Sequence, residues 1–147
     1  VYASREEAVM SAIELIDKES KAYEAVEVGI KYKNQPASNL HEFYGDMSPV
    51  HSLNNLAVVV WAFLSFQDSF DEAIGETICS GWDTDCTGAT VGGLIGLDKG
   101  SIPPLWTDPW QGRVNTSIAG VGEMALDDLV NRTMALVDRF SLVEDLE

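Results

Sequence analysis

The chain has 147 residues and a formal net charge of −15 at neutral pH. Such an acidic surface repels nucleic-acid phosphates and anionic membranes, so we expect neither as a partner. The length fits a single domain, residues 1–147, with an adequate hydrophobic core. The two cysteines, Cys79 and Cys86, are too few for a disulfide framework and indicate reduced thiols, so a cytoplasmic protein is expected.

Helical patterns follow one another along most of the chain. Ser4 with Glu7, and Ser69 with Glu72, have the spacing of a capping box and therefore predict two helix starts. Residues 53–66 are apolar nearly all round, which is typical of a central, buried helix. Helical spacing of apolar residues also predicts helices at residues 18–31 and 126–137. We therefore expect an all-α fold, a compact orthogonal helical bundle.

Turn-forming residues predict a loop at residues 34–50, and a second loop is expected at residues 113–122, before the last helix. The first loop contains His41, and His51 follows it, just before a helix that Ser52 is expected to cap. For both histidines a hydrogen-bonded structural role is a commoner case than a ligand or a proton carrier.

Two polar side chains interrupt the apolar helix at residues 53–66. Asn54 and Asn55 need hydrogen-bond partners if this helix is buried. Two interpretations remain open: the pair orients the loop that carries Asp83, or it only caps the helix.

Residues 81–96 are the most informative stretch. Asp83 and Asp85 stand two residues apart, and the pattern predicts Asp85 as the N-cap of a helix that begins at Cys86. Three glycines recur at every fourth residue of this helix and share one face, at positions 88, 92 and 96. Glycine is costly inside a helix, so the face indicates close approach of the backbone to another helix or to a ligand.

The two carboxylates predict either a cation site or a capped helix. Carboxylates this close repel each other unless a cation or hydrogen-bond donors lie between them, and hard oxygen ligands suit Mg²⁺, Mn²⁺ or Ca²⁺. An EF-hand loop is excluded, because its twelfth position should be Glu and is Leu94 here. The alternative is that Asp83 and Asp85 only cap a core helix.

The sequence Gly-Trp-Asp-Thr-Asp-Cys, followed by a helix of small residues, resembles the C-terminal signature of the ADP-ribosylglycohydrolase family, Gly-Gly-Asp-Thr-Asp-Thr. Residues 51–64 and 69–74 are similar to the helices before that signature, and the resemblance extends over about residues 1–139. It implies that Asp83 and Asp85 bind Mg²⁺, with Mn²⁺ as the alternative. Cys86 takes the third ligand position, where the family has Thr, and a neutral thiol is a poor Mg²⁺ ligand.

The resemblance also implies an activity, Mg²⁺-dependent hydrolysis of the bond between ADP-ribose and an acceptor. The partner would be an ADP-ribosylated protein or an ADP-ribose-like small molecule, and no catalytic or substrate-binding residue is assigned. Family members are longer and carry further metal ligands in an N-terminal half, so we expect this chain to be the C-terminal half, inactive alone. It would then form a homo-oligomer or pair with a chain that carries the N-terminal half. The alternative is a non-catalytic helical scaffold or binding module.

Overall fold

The computed structural model describes residues 4–144. Most of them are helical, and the predicted all-α class is confirmed. The helices are α1 (Arg5–Ile13), α2 (Lys21–Lys31), α3 (Ser38–Tyr44), α4 (Ser52–Ser65), α5 (Phe70–Cys79), α6 (Thr84–Lys99), α7 (Pro104–Thr107) and α8 (Leu126–Glu144). Two compact units divide the chain, one up to Ser101 and one from Ile102. The expectation of a single domain stays a prediction.

Helix α4 is the centre of the first unit, as its apolar sequence predicts. It packs against α1, α2, α3, α5 and α6. Its fully buried side chains include Ala57, Val58, Trp61 and Ala62. No helix in the described part of the chain is both long and apolar enough to cross a membrane.

Glycines lie at the contacts of two helix pairs, α2 with α4 and α6 with α5. A Cβ atom at Gly29 of α2 would lie 2.8 Å from the Ala57 carbonyl oxygen of α4, a distance that no larger residue could accept. Cβ atoms at Gly88 and Gly92 of α6 would lie 3.5 Å and 3.3 Å from side-chain carbons of α5. For these two residues of the predicted glycine face, the close neighbour is therefore a helix.

Arg5 connects the start of α1 to the end of α6. Its Nε donates to Asp98 Oδ2 at 2.9 Å, and its Nη1 donates to the carbonyl oxygens of Phe63 and Phe66 at 3.0 and 3.2 Å. The guanidinium carbon also lies 4.8 Å from the centre of the Phe63 ring. The side chain is buried, and Nη2 has no hydrogen-bond partner among the described residues.

Two expectations about residues 34–52 are wrong. The predicted loop contains α3, because Leu40 and Tyr44, one helical turn apart, become buried. Helix α4 does begin at Ser52, but its cap is His51, whose Nδ1 accepts a hydrogen bond from the backbone N–H of Leu53 at 3.2 Å.

The second unit contains a short hairpin where the sequence predicts a loop. Strands β1 (Arg113–Asn115) and β2 (Glu123–Ala125) pair antiparallel, with Val114 opposite Met124. Gly120 and Gly122 have positive φ angles in the connection, which glycine adopts without strain. Helix α8 follows directly, and the six strand residues leave the all-α class unchanged.

Candidate metal centre

The turn between α5 and α6 is unusual in its backbone. Gly81 has a φ angle of +82° and Trp82 a φ angle of +61°, so two successive residues are left-handed. For a bulky residue such as tryptophan this conformation costs roughly 1–2 kcal/mol. The family signature given above has glycine at the position of Trp82, which fits this geometry.

His41 of α3 holds this turn. Its Nε2 donates to the Ser80 carbonyl oxygen at 2.6 Å, and its ring stacks on the Trp82 ring with centroids 4.0 Å apart. A Cβ atom added at Gly81 would lie 3.9 Å from the same imidazole. His41 is therefore a hydrogen-bonded histidine, as expected, but it lies on a helix and contacts Ser80 and Trp82, on either side of Gly81.

Asn55 of α4 holds the next residue of the chain. Its Oδ1 accepts a hydrogen bond from the backbone N–H of Asp83 at 3.2 Å. Its Nδ2 donates to the carbonyl oxygens of Pro49 and His51, both at 2.8 Å. The interpretation that this asparagine orients the loop with Asp83 is therefore confirmed.

Asn54 supports Asn55 from the buried side of α4. Its Oδ1 accepts from the Asn55 backbone N–H at 2.9 Å, and its Nδ2 donates to the Ser48 carbonyl oxygen at 3.1 Å. The side chain is fully buried, so its polar atoms are used inside the protein. Asn54 thus acts on the Asp83 loop through its neighbour.

Helix α6 begins earlier than the sequence predicts. Its N-cap is Asp83, and Asp85 lies in the first turn, so the prediction of Asp85 as the N-cap is wrong. The helix starts directly after the left-handed turn, where the backbone N–H and Oγ1 of Thr87 both donate to the Asp83 carbonyl oxygen, at 2.9 and 3.0 Å. The Asp83 side chain makes no capping hydrogen bond, which contradicts the plain-capping interpretation for this residue.

The structure brings together all three residues that the sequence nominates as metal ligands. Potential ligand atoms of Asp83, Asp85 and Cys86 lie within 4.8 Å of one another. Asp83 is half-buried, and the other two are exposed. In the part of the chain that the structure describes, this is the one such group of three acidic, histidine or cysteine side chains.

The local electrostatics separate the carboxylates from the thiol. Interaction with the Asp83 side chain and with the backbone N–H groups of Asp85 and Cys86 lowers the pKa of Asp85 below its usual value. The nearby carboxylates, Asp83 first, raise the pKa of the Cys86 thiol. Asp85 is therefore ionised at neutral pH while Cys86 is protonated. The two carboxylates fit a hard cation such as Mg²⁺, and the protonated thiol does not.

Sequence reasoning missed the supporting role of His41. The contact of its ring with Trp82 joins residues that are 41 positions apart, and no spacing rule connects them. One signal was present, because a tryptophan where the family signature has glycine indicates a left-handed position that needs support.

The comparisons with known proteins agree with the resemblance. A family model described as ADP-ribosylglycohydrolase matches residues 2–141. In the comparison with curated proteins nothing matches the chain, and in the comparison with solved structures nothing matches it either. Because the family model covers nearly the whole sequence, the chain belongs to the ADP-ribosylglycohydrolase family.

Proposed function

We propose that this chain serves Mg²⁺-dependent hydrolysis of the bond between ADP-ribose and an acceptor, with Asp83 and Asp85 as metal ligands and Mn²⁺ as the alternative ion. The observation that supports this most is the close placement of the two carboxylates at the start of α6. Among the described residues, no lysine or arginine forms an ion pair with either of them. In a member of this family, metal binding accounts for two carboxylates placed in this way.

The charge of the protein supports the same proposal. With a net charge of −15, the chain repels an anionic diphosphate such as that of ADP-ribose. Asp83 and Asp85 would hold a divalent cation at this partly exposed place, and its charge would offset that of the two carboxylates. A bound Mg²⁺ would supply Lewis-acid polarisation of a substrate oxygen or of a bound water. Cys86 stays a predicted third ligand, and the weakest one, because its thiol is protonated.

Binding of the metal can be measured directly by titration calorimetry with Mg²⁺ and Mn²⁺. We expect weak binding to the wild-type chain, since one or two carboxylates leave most of the coordination sphere to water. The double variant Asp83→Asn with Asp85→Asn should lose it. A matched control is Asp127→Asn with Asp128→Asn, which makes the same charge change in the first turn of α8.

The outcomes of this titration separate the two candidate functions. Binding that disappears in the first double variant and persists in the control supports the assignment. Binding that both double variants retain shows that the metal uses other ligands. No binding to the wild-type chain favours the alternative, a helical scaffold or binding module without turnover.

The substrate would be an ADP-ribosylated protein or an ADP-ribose-like small molecule. We propose that the chain completes its site by pairing with a second chain that carries the N-terminal motifs. A homo-oligomer is the alternative form of association, and it would not supply those motifs. Alone it should have no turnover, because two carboxylates do not position an attacking water, and positioning contributes roughly 7–11 kcal/mol to such reactions.

Turnover can be tested by incubating the purified chain with Mg²⁺ and ADP-ribosylated protein and following ADP-ribose release. We expect no release above the rate without protein. Clear release that Asp85→Ala abolishes would show that this chain holds a complete active site. That result would contradict the need for a second chain while supporting the proposed activity.

A further inference from the structure

We propose that His41 is a positioning residue for the metal site, acting through the left-handed turn at Gly81 and Trp82. The inference rests on the proposed function, since it concerns the same two carboxylates. His41 does not belong to the ligand group itself, which consists of Asp83, Asp85 and Cys86. Its contacts are with Ser80 and Trp82, in the turn that precedes this group.

The contacts of His41 are arranged so that one side chain holds the whole turn. The hydrogen bond of 2.6 Å reaches the carbonyl oxygen of Ser80, the first residue after α5. The ring plane lies 28° from that of Trp82, as in a stacked pair. At Gly81, between them, an added Cβ atom would lie 3.9 Å from the imidazole. Together these contacts hold the chain from the end of α5 to the residue before Asp83.

The turn needs such support because Trp82 is strained at a φ angle of +61°. Without the stacking partner, the tryptophan would relax towards a negative φ angle. A change of φ at Trp82 rotates the peptide that carries the Asp83 N–H, and this N–H is the group bound by Asn55. Loss of His41 should therefore displace Asp83 relative to Asp85, which stays within α6.

The decisive variants are His41→Ala alone and His41→Ala combined with Trp82→Gly. In the single variant we expect Mg²⁺ or Mn²⁺ affinity to fall about 10-fold, the lower end of the range for residues that orient metal ligands. In the double variant we expect recovery to within about 2-fold of Trp82→Gly alone, because glycine adopts a positive φ angle without support. A residue with only a general structural role would not be rescued in this way.

Amide hydrogen exchange, followed by NMR, gives a second measurement that needs no metal. In His41→Ala the N–H groups of Gly81 and Asp83, which donate to the Ile78 carbonyl oxygen and to Asn55 Oδ1, should exchange at least about 5-fold faster, while those of the α4 core stay unchanged. The matched control is His51→Asn, which changes the other histidine but keeps a side chain that can cap α4. In this control the Asp83 exchange rate and the metal affinity should stay within about 2-fold of the wild type.

Each result decides the proposal. Faster exchange at residues 81 and 83 with rescue by Trp82→Gly supports it. Unchanged exchange there, or faster exchange across α4 that Trp82→Gly does not rescue, overturns it. If the wild-type chain binds neither ion, the proposed function fails, and the exchange measurements alone then decide the role of His41.

Discussion

The two ends of α6 differ in whether their aspartates form an ion pair. At the C-terminal end, Asp98 pairs with the buried Arg5, and two carbonyl oxygens of the α4 region complete the contacts of the guanidinium. At the N-terminal end, Asp83 and Asp85 lie close together, and no lysine or arginine in the described part of the chain pairs with them. The charge of Asp98 is balanced by Arg5, whereas the charges of Asp83 and Asp85 are balanced by no lysine or arginine of the described residues.

This difference distinguishes a structural charge from a functional one. A buried ion becomes acceptable only with an opposite charge and good hydrogen bonds, and removing one partner is then strongly destabilising. Asp83 and Asp85, one half-buried and one exposed, form no such ion pair among the described residues. Hydrogen bonds with His41 and Asn55 nevertheless fix the backbone at Ser80 and Asp83. A supported backbone that carries two carboxylates, neither of them paired with a described lysine or arginine, is what a cation site requires.

The largest loss of stability should come from a change at the C-terminal end of α6, where Asp98 pairs with Arg5. Asp98→Ala leaves the Arg5 guanidinium buried without its anion. Since the Asp98 side chain is 36% exposed, we expect a loss of about 3 kcal/mol, the lower limit for breaking a buried pair. Urea unfolding followed by circular dichroism measures it.

A matched control breaks an exposed ion pair instead. Glu123→Ala removes the partner of Arg113, and both side chains of this pair are at least half exposed. We expect a loss of about 0–1 kcal/mol there. Equal losses in the two variants would show that the Arg5–Asp98 pair stabilises the fold no more than an exposed ion pair does.

A second, smaller effect should come from the turn before the acidic pair. Gly81→Ala places a Cβ atom on a residue whose φ angle is +82°, which should destabilise the protein by about 1–2 kcal/mol. Gly75→Ala is the control within α5, where an added Cβ meets nothing within 4 Å. That change should stabilise the protein by roughly 0.5–1 kcal/mol. Effects of the same sign in the two variants would contradict the strained turn.

The pH dependence of stability tests a further paired carboxylate, Glu6, which is next to Arg5 in α1. A hydrogen bond from Lys33, one from its own backbone and one from Gln67 lower the pKa of Glu6 from 4.5 to about 2. A lowered pKa in the folded state means that this stabilisation is present above pH 4.5 and is lost as the pH falls towards 2. Because the Glu6 side chain is 40% exposed, we expect its charge to contribute only about 0.2–1 kcal/mol to the free energy of unfolding.

The variant Glu6→Gln isolates this contribution. The difference in unfolding free energy between wild type and variant should be largest at neutral pH and should shrink as the pH falls below 4.5. Urea unfolding of both proteins at a series of pH values measures it. A difference that is constant across this range would show that the charge of Glu6 is not involved.

Local patterns in the sequence predicted much of this structure. The side chains of Ser4 and Ser69 accept hydrogen bonds from the backbone N–H groups three residues later, as the capping boxes require. The ligand group was also predictable, because residues 83, 85 and 86 are near neighbours along the chain and stay together in any helix start. Such features depend on a few consecutive residues, so a single sequence contains them.

The errors occur where distant residues decide the local conformation. Helix α3 has no strong pattern of its own, and it forms with Leu40 and Tyr44 buried in the first unit. The start of α6 was misplaced because Trp82 is left-handed, a state that its contact with His41 supports. Contacts across 28 and 39 residues, from Asn55 to Asp83 and from His41 to Ser80, leave no periodic signal. The supporting residues of a site are for this reason harder to predict than its ligands.

The smallest effect on stability should come from the acidic pair itself. Asp83→Asn should change the free energy of unfolding by no more than about 0.5 kcal/mol when a chelator is present. The Asp83 side chain makes no capping hydrogen bond that could be lost, and its repulsion of Asp85 disappears. That gain offsets the lost attraction to the helix N-terminus, which is about 0.3–1 kcal/mol. With Mg²⁺ in excess, the wild type should gain stability by mass action while the variant gains less. Urea unfolding of both proteins, with chelator and with Mg²⁺, measures the two quantities together. A loss above about 1 kcal/mol in chelator would mean that Asp83 is a structural charge like Asp98, and the contrast between the two ends of α6 would be wrong.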